Sequence, residues 1–127
     1  MHALDTMRAL ASKSEVLSLN SGDVLFNTGD SGSTMYGIVE GSIRLSWVDA
    51  AGNQGHEDIP VGNVFGAGAL VMGDHQRLGT ATALENCRLI EMTREKFLFA
   101  VQEAPMFAIE LLASIDERLR DIKMGAS

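Results

Sequence analysis

Cysteine is all but missing from this chain: Cys87 stands alone among 127 residues. One thiol cannot close an internal disulfide, and it excludes a cysteine-clustered zinc site and a cysteine-ligated iron–sulfur centre. A chain that does without disulfides suits a reducing compartment, so a cytoplasmic location is expected. Long apolar runs are missing too. The longest uncharged stretch near the middle, residues 61–73, is cut by four glycines and by Asn63. A membrane span needs about 20 apolar residues, so no membrane partner is expected. Asp5 and Arg8 stand where a signal peptide would carry its apolar run. Basic residues are scarce: 10 Lys and Arg against 17 Asp and Glu leave a formal charge of −7. A free-standing nucleic-acid binder shows the opposite balance, because phosphate contacts need cations.

Catalytic signatures are equally thin. His2, His56 and His75 are scattered, with no histidine at the i, i+2 or i, i+4 spacing that a metal site uses. His56-Glu57-Asp58 holds three potential ligands, yet on a strand His56 and Asp58 share a face that solvent alone explains. No Gly-x-Ser-x-Gly elbow occurs. Gly66-Ala67-Gly68 begins a dinucleotide-like pattern, but position 71 is Val71 and no βαβ unit surrounds it. Cys87 opens an apolar run and reads as a small core residue. Neither catalysis nor a bound metal is expected.

Proline numbers only 2, while glycine numbers 13, which is the balance of tight turns between short strands. The length suits one domain, able to build a core without staples. Residues 3–11 read as a short helix with Leu4, Met7, Leu10 and Ala11 on one side. From residue 15 to 92 the pattern becomes short apolar or alternating runs: 16–19, 24–26, 35–39, 43–48, 56–59, 79–83 and 88–92. Ile43, Leu45 and Trp47 alternate with Ser42, Arg44 and Ser46, the period of a half-buried strand. Residues 49–53 supply a turn. Seven or eight such strands predict a mainly β sandwich or jelly-roll barrel, with flanking helices. Thr93 is placed to cap a helix with Glu95 in its first turn, ending near Glu103. Pro105 opens a second helix running to about Lys123.

The order of these pieces resembles the cyclic nucleotide-binding domain family, that of the bacterial cAMP receptor protein and the regulatory subunits of cAMP-dependent kinase. The residues that carry the resemblance are Gly22-Asp23-Val24-Leu25-Phe26, Gly29-Asp30, residues 35–41, Gly62-Asn63-Val64-Phe65-Gly66 and residues 77–83. It implies a double-stranded β-helix over about 15–92, two C-terminal helices over about 93–123, and a single domain spanning 1–127. Gly22, Gly29 and Gly41 are expected only to turn strands.

Residues 65–83 match the family's phosphate-binding cassette. The resemblance implies a short helix at 68–72 whose first N–H groups, from Gly68 and Ala69, point at a cyclic phosphate. It gives Arg77 the phosphate itself, and Gly66, Ala67, Leu78 and Gly79 complete the candidate ligand set. Arg77 on its own reads rather as a solvated surface arginine between two polar loops, and only the resemblance turns it toward a ligand. The family has a glutamate after Phe65-Gly66 to hold the ribose hydroxyl, and Ala67 stands there instead. Losing a charged hydrogen bond of about 1.5–3 kcal/mol weakens binding roughly 10- to 200-fold. Leu78 is bulkier than the family's usual small residue and could fill the phosphate space. Three readings stay open: weak binding of cAMP or cGMP, another phosphate ligand, or a vestigial pocket in an interaction module.

Ala108, Leu112, Ile115, Leu119 and Ile122 are spaced four, three, four and three, as in a coiled-coil seam. Phe107 and Leu111 form a second apolar edge that can pack on the strands. Two edges suggest two packing surfaces, so a homodimer through this helix is expected; one helix packed on its own domain is the alternative. The resemblance places the far end, near Ile122 and Lys123, over the ligand's base. The reading contains no DNA-binding domain, so a signal would pass to a separate effector.

Overall fold

The computed structural model describes residues 3–123, with side chains to residue 122. Two four-stranded antiparallel sheets form the jelly roll. One runs β1 (Val16–Leu19), β8 (Cys87–Thr93), β3 (Thr34–Glu40), β6 (Val64–Phe65). The other runs β2 (Val24–Phe26), β7 (Thr80–Ala83), β4 (Ile43–Val48), β5 (Gln54–Ile59). The strands read from alternation all form, within two residues at their ends. The two-residue β6 is too short to show a period. Three further helices, α1 (Ala3–Leu10), α3 (Arg94–Glu103) and α4 (Pro105–Lys123), pack outside the first sheet, while α2 (Gly68–Val71) follows β6. A 3₁₀ turn, Lys13–Glu15, joins α1 to β1.

β3 shows how alternation builds the body, because it is buried on both faces. Tyr36 and Ile38 join Phe26, Ile43, Ile59, Phe65 and Leu89 between the sheets. Met35 and Val39 face the other way, toward Leu4, Met7, Phe107 and Leu111 beneath the helices. Gly37 lies on that helix side, and a Cβ there would sit 2.4 Å from Leu4 Cδ1. Its missing side chain lets α1 lie on the sheet. Gly22, Gly29 and Gly41 all hold positive φ in turns, as their sequence setting predicts. Thr93 caps α3, its hydroxyl accepting from Lys96 N at 3.3 Å. Among the described residues no single helix is long and apolar enough to cross a membrane.

Candidate functional site

The candidate site begins where β6 ends. Gly66 takes φ +84°, a left-handed turn that swings the chain off the sheet and into α2. Residues 72–76 then return the chain to Arg77, whose backbone pairs with the loop before β3. Arg77 N donates to Asp30 O at 2.8 Å, and Gly29 N donates to Arg77 O at 2.7 Å. His75 turns this return with φ +52°, its ring Nδ1 lying 2.8 Å from Ala69 O. The result is a cavity of about 570 Å³ between β4 and α2.

Gly66, Gly68, Ala69, Arg77, Leu78 and Gly79 line this cavity. Ala67 lies outside the lining. It is 8% exposed and belongs to the core beneath the helices, with Met35 and Leu70, so a carboxylate at this position would enter apolar surroundings. Leu78 is 76% exposed at the mouth, so its bulk leaves the inner cavity open. Gly79 has a structural reason to be glycine: a Cβ there would meet Ser46 O on β4 at 2.9 Å. The remaining walls come from residues outside the candidate ligand set: Met72 at the end of the expected short helix, and Phe26, Leu45, Trp47, Val48, Asp74 and Gln76, which the sequence showed only as strand or loop.

Arg77 is only 5% exposed and turns inward. Its Nη1 donates to Gly66 O at 2.9 Å, and its Nη2 donates to Thr34 O at 2.7 Å and to Thr34 Oγ1 at 3.3 Å. The guanidinium carbon sits 4.3 Å from the centre of the Phe26 ring and 5.6 Å from that of Tyr36, within cation–π range. Thr34 Oγ1 in turn donates to Tyr36 Oη at 3.0 Å. Burial pushes the guanidinium below its ordinary pKa, opposed by the charges around it, and burial pushes the Tyr36 phenol up. The Arg77 cation is therefore already solvated by carbonyls and rings. Gly32 makes this pose possible, since a Cβ there would fall 2.4 Å from Arg77 Nε. Gly32 and Thr34 were invisible as site residues in the sequence. A buried arginine needing carbonyl partners was the signal that could have prompted a search for them.

A second arginine ties α4 to the same segment. Arg118 Nε donates to Glu57 Oε2 at 2.8 Å, Nη2 reaches Glu57 Oε1 at 3.3 Å, and Nη1 donates to Val64 O. Both side chains are largely buried. The three candidate ligands at 56–58 thus part company. Glu57 serves Arg118, while Asp58 binds Arg44 on the solvated face at 2.7 and 2.9 Å. His2 lies outside the described residues.

Along α4, Phe107 and Leu111 are buried against the strand body, as the second apolar edge implies. The seam divides. Ile115 packs against the domain's own core and Ala108 is half-buried, whereas Leu112, Leu119 and Ile122 are exposed together with Met106 and Ile109. Ile122 is exposed at the end of the described side chains, and the Lys123 side chain lies outside them.

Comparison with known proteins places these features. Residues 16–104 match the family model described as cyclic nucleotide-binding domain. The cyclic AMP receptor protein of Thermus thermophilus is 29% identical over 101 residues, covering 79% of this chain and 46% of the receptor. A lysophospholipase of Pyricularia oryzae is 28% identical over 114 residues, covering 85% of this chain and 7% of the enzyme. The chain thus spans less than half the length of these relatives. Among solved structures, the one described as "A cyclic-GMP-dependent signalling pathway regulates bacterial phytopathogenesis" superposes with a TM-score of 0.76 at 25% identity, covering 93% of this chain and 91% of that one. The Thermus thermophilus catabolite activator protein shares the fold at a TM-score of 0.76 and 23% identity, over 97% of this chain and 56% of that one.

Proposed function

This chain belongs to the cyclic nucleotide-binding domain family, and from that premise we propose that it is a non-enzymatic ligand-sensing regulatory domain, with the cavity between β4 and α2 as its ligand site and α4 as its output. One observation carries the reading. Gly66 O is held by Arg77 inside the cavity, and two residues upstream Val64 O is held by Arg118 of α4. A ligand that shifts Gly66 therefore acts on the segment to which α4 is tied. The output face is the exposed apolar edge of α4, which suits a second copy of the chain, and the signal passes to a separate cytoplasmic effector.

The family premise points to a cyclic nucleotide or related phosphate compound. Here such an anion has to draw Arg77 from two carbonyls, and Ala67 offers the ribose no carboxylate. cAMP and cGMP are expected to bind weakly. The same saturation of Arg77 favours the alternative, an interaction module with a vestigial pocket.

Calorimetry with cAMP and cGMP, combined with hydrogen exchange along α4, tests the proposal. The expected result is weak binding with changed exchange over residues 105–122. Replacing the tie by Arg118→Met with Glu57→Gln removes both partners and leaves no half-buried charge unpaired. That variant should keep the binding and lose the response in α4. A saturated cavity with unchanged α4 overturns the sensing reading, and a cavity that takes no ligand selects the vestigial one.

A further inference from the structure

We propose that the preferred occupant of this cavity is an uncharged, largely apolar small molecule with an aromatic or acyl body, a proposal that rests on reading the cavity as the ligand site. Its walls supply the first argument. Leu45 and Trp47 project from β4, and Met72 and Leu78 also line the cavity and stand exposed. Apolar side chains left in water around one cavity gain stability when a ligand covers them. The Trp47 wall is preformed. Trp47 pairs with Gly55 across β4 and β5, and a Cβ on Gly55 would lie 2.7 Å from Trp47 Nε1. The indole rests in the space that glycine leaves.

Charge supplies the second argument. Among the described residues, the one cation lining the cavity, Arg77, already donates to Gly66 O and Thr34 O. An anion that recruits it leaves two carbonyls without their charged donor in a site where Arg77 is 5% exposed. Asp74 also lines the cavity and repels an anion, and the chain as a whole carries −7. An uncharged apolar molecule meets neither obstacle, because it enters without disturbing Arg77.

Two fluorescent probes separate these chemistries. N-phenyl-1-naphthylamine and 1-anilinonaphthalene-8-sulfonate share one aromatic skeleton, and only the second carries an anion. Trp47 is the only tryptophan, so energy transfer from its emission reports a probe beside the cavity. The neutral probe should saturate in the micromolar range, and the sulfonate should bind roughly 10-fold or more weakly. Leu78→Glu places a charge at the mouth on an exposed residue. It should weaken the neutral probe by about 10-fold while the fold stays intact. Leu98→Glu, at an exposed apolar position on α3 outside the cavity lining, should leave the probe's affinity unchanged. The proposal falls if the sulfonate binds as tightly as the neutral probe. It also falls if cAMP displaces the neutral probe with higher affinity, or if Leu98→Glu rather than Leu78→Glu abolishes binding. A neutral probe that binds without altering exchange in α4 sinks the sensing reading and leaves this inference standing. An anion that binds best and does alter α4 gives the reverse.

Discussion

Arg77 is the residue on which the site turns, and its surroundings explain its inward pose. A guanidinium taken from water must find partners for its donors, and the chain supplies Gly66 O, Thr34 O and two aromatic faces. Gly32 holds the necessary space open. Gly32→Ala would put a methyl 2.4 Å from Arg77 Nε and 2.6 Å from its Cζ, so the guanidinium has to leave Thr34 or the loop has to shift. Charged hydrogen bonds of this kind contribute about 1.5–3 kcal/mol each. The variant should lose about 2 kcal/mol of stability, read as a lower urea midpoint at unchanged m-value. An unchanged midpoint would show that Arg77 or the loop clears the new methyl at no net cost.

At the scale of elements, α4 carries two different faces. Phe107 and Leu111 anchor it to the domain, and the Arg118–Glu57 pair fixes its far half to β5 and β6. The other face shows Met106, Ile109, Leu112, Leu119 and Ile122 to solvent. The 4-3-4-3 spacing located this face only in part, because Ile115 shares a stripe with Leu112 yet packs inward. That difference decides which substitution tests dimerisation. Ile115→Glu would damage the domain's own core. Leu112 is 66% exposed, so Leu112→Glu should leave the unfolding free energy of the single domain within about 0.5 kcal/mol. It should place two charges in a helix-to-helix contact and dissociate the pair, which light scattering or sedimentation resolves. A wild-type chain that is monomeric at high micromolar concentration rules the dimer out.

Across the whole molecule, legibility follows sequence separation. Alternation and glycine turns are local, so the strands, the two terminal helices and the jelly roll could be read before any coordinates. The cassette pattern put Gly66 and Arg77 in one candidate ligand set, but not the hydrogen bond between them. Its carbonyl partner at Thr34 is 43 residues away, and Glu57 is 61 residues from Arg118, so no local pattern could pair them. The same holds for the contact that closes the N-terminal segment onto the body. Lys96 Nζ donates to Leu10 O at 2.8 Å and to Glu15 Oε1, joining α3 to the turn between α1 and β1. Glu15 also accepts from Ser12 N at 2.9 Å. The Lys96 hydrogen bond first, then the Ser12 amide, hold its carboxyl at a pKa of about 2 against the usual 4.5, outweighing the opposing effect of burial. A carboxyl depressed in the folded state stabilises fully above its unfolded pKa and loses that contribution as pH falls through the folded value. The window is therefore pH 4.5 down to about 2. At roughly 1.4 kcal/mol per unit, its ceiling is about 3 kcal/mol, reduced because water reaches Lys96. Glu15→Gln keeps a carbonyl acceptor for Ser12 N and removes the titration. In urea unfolding at pH 7 and pH 3, the wild type should lose on the order of 1 kcal/mol more than the variant over that interval, since the undiscounted loss is about 2 kcal/mol. Equal losses would mean that the acid sensitivity of the fold lies in other carboxylates, such as Asp58 in its exposed pair with Arg44, and that the Glu15 tie does not hold the N-terminal segment.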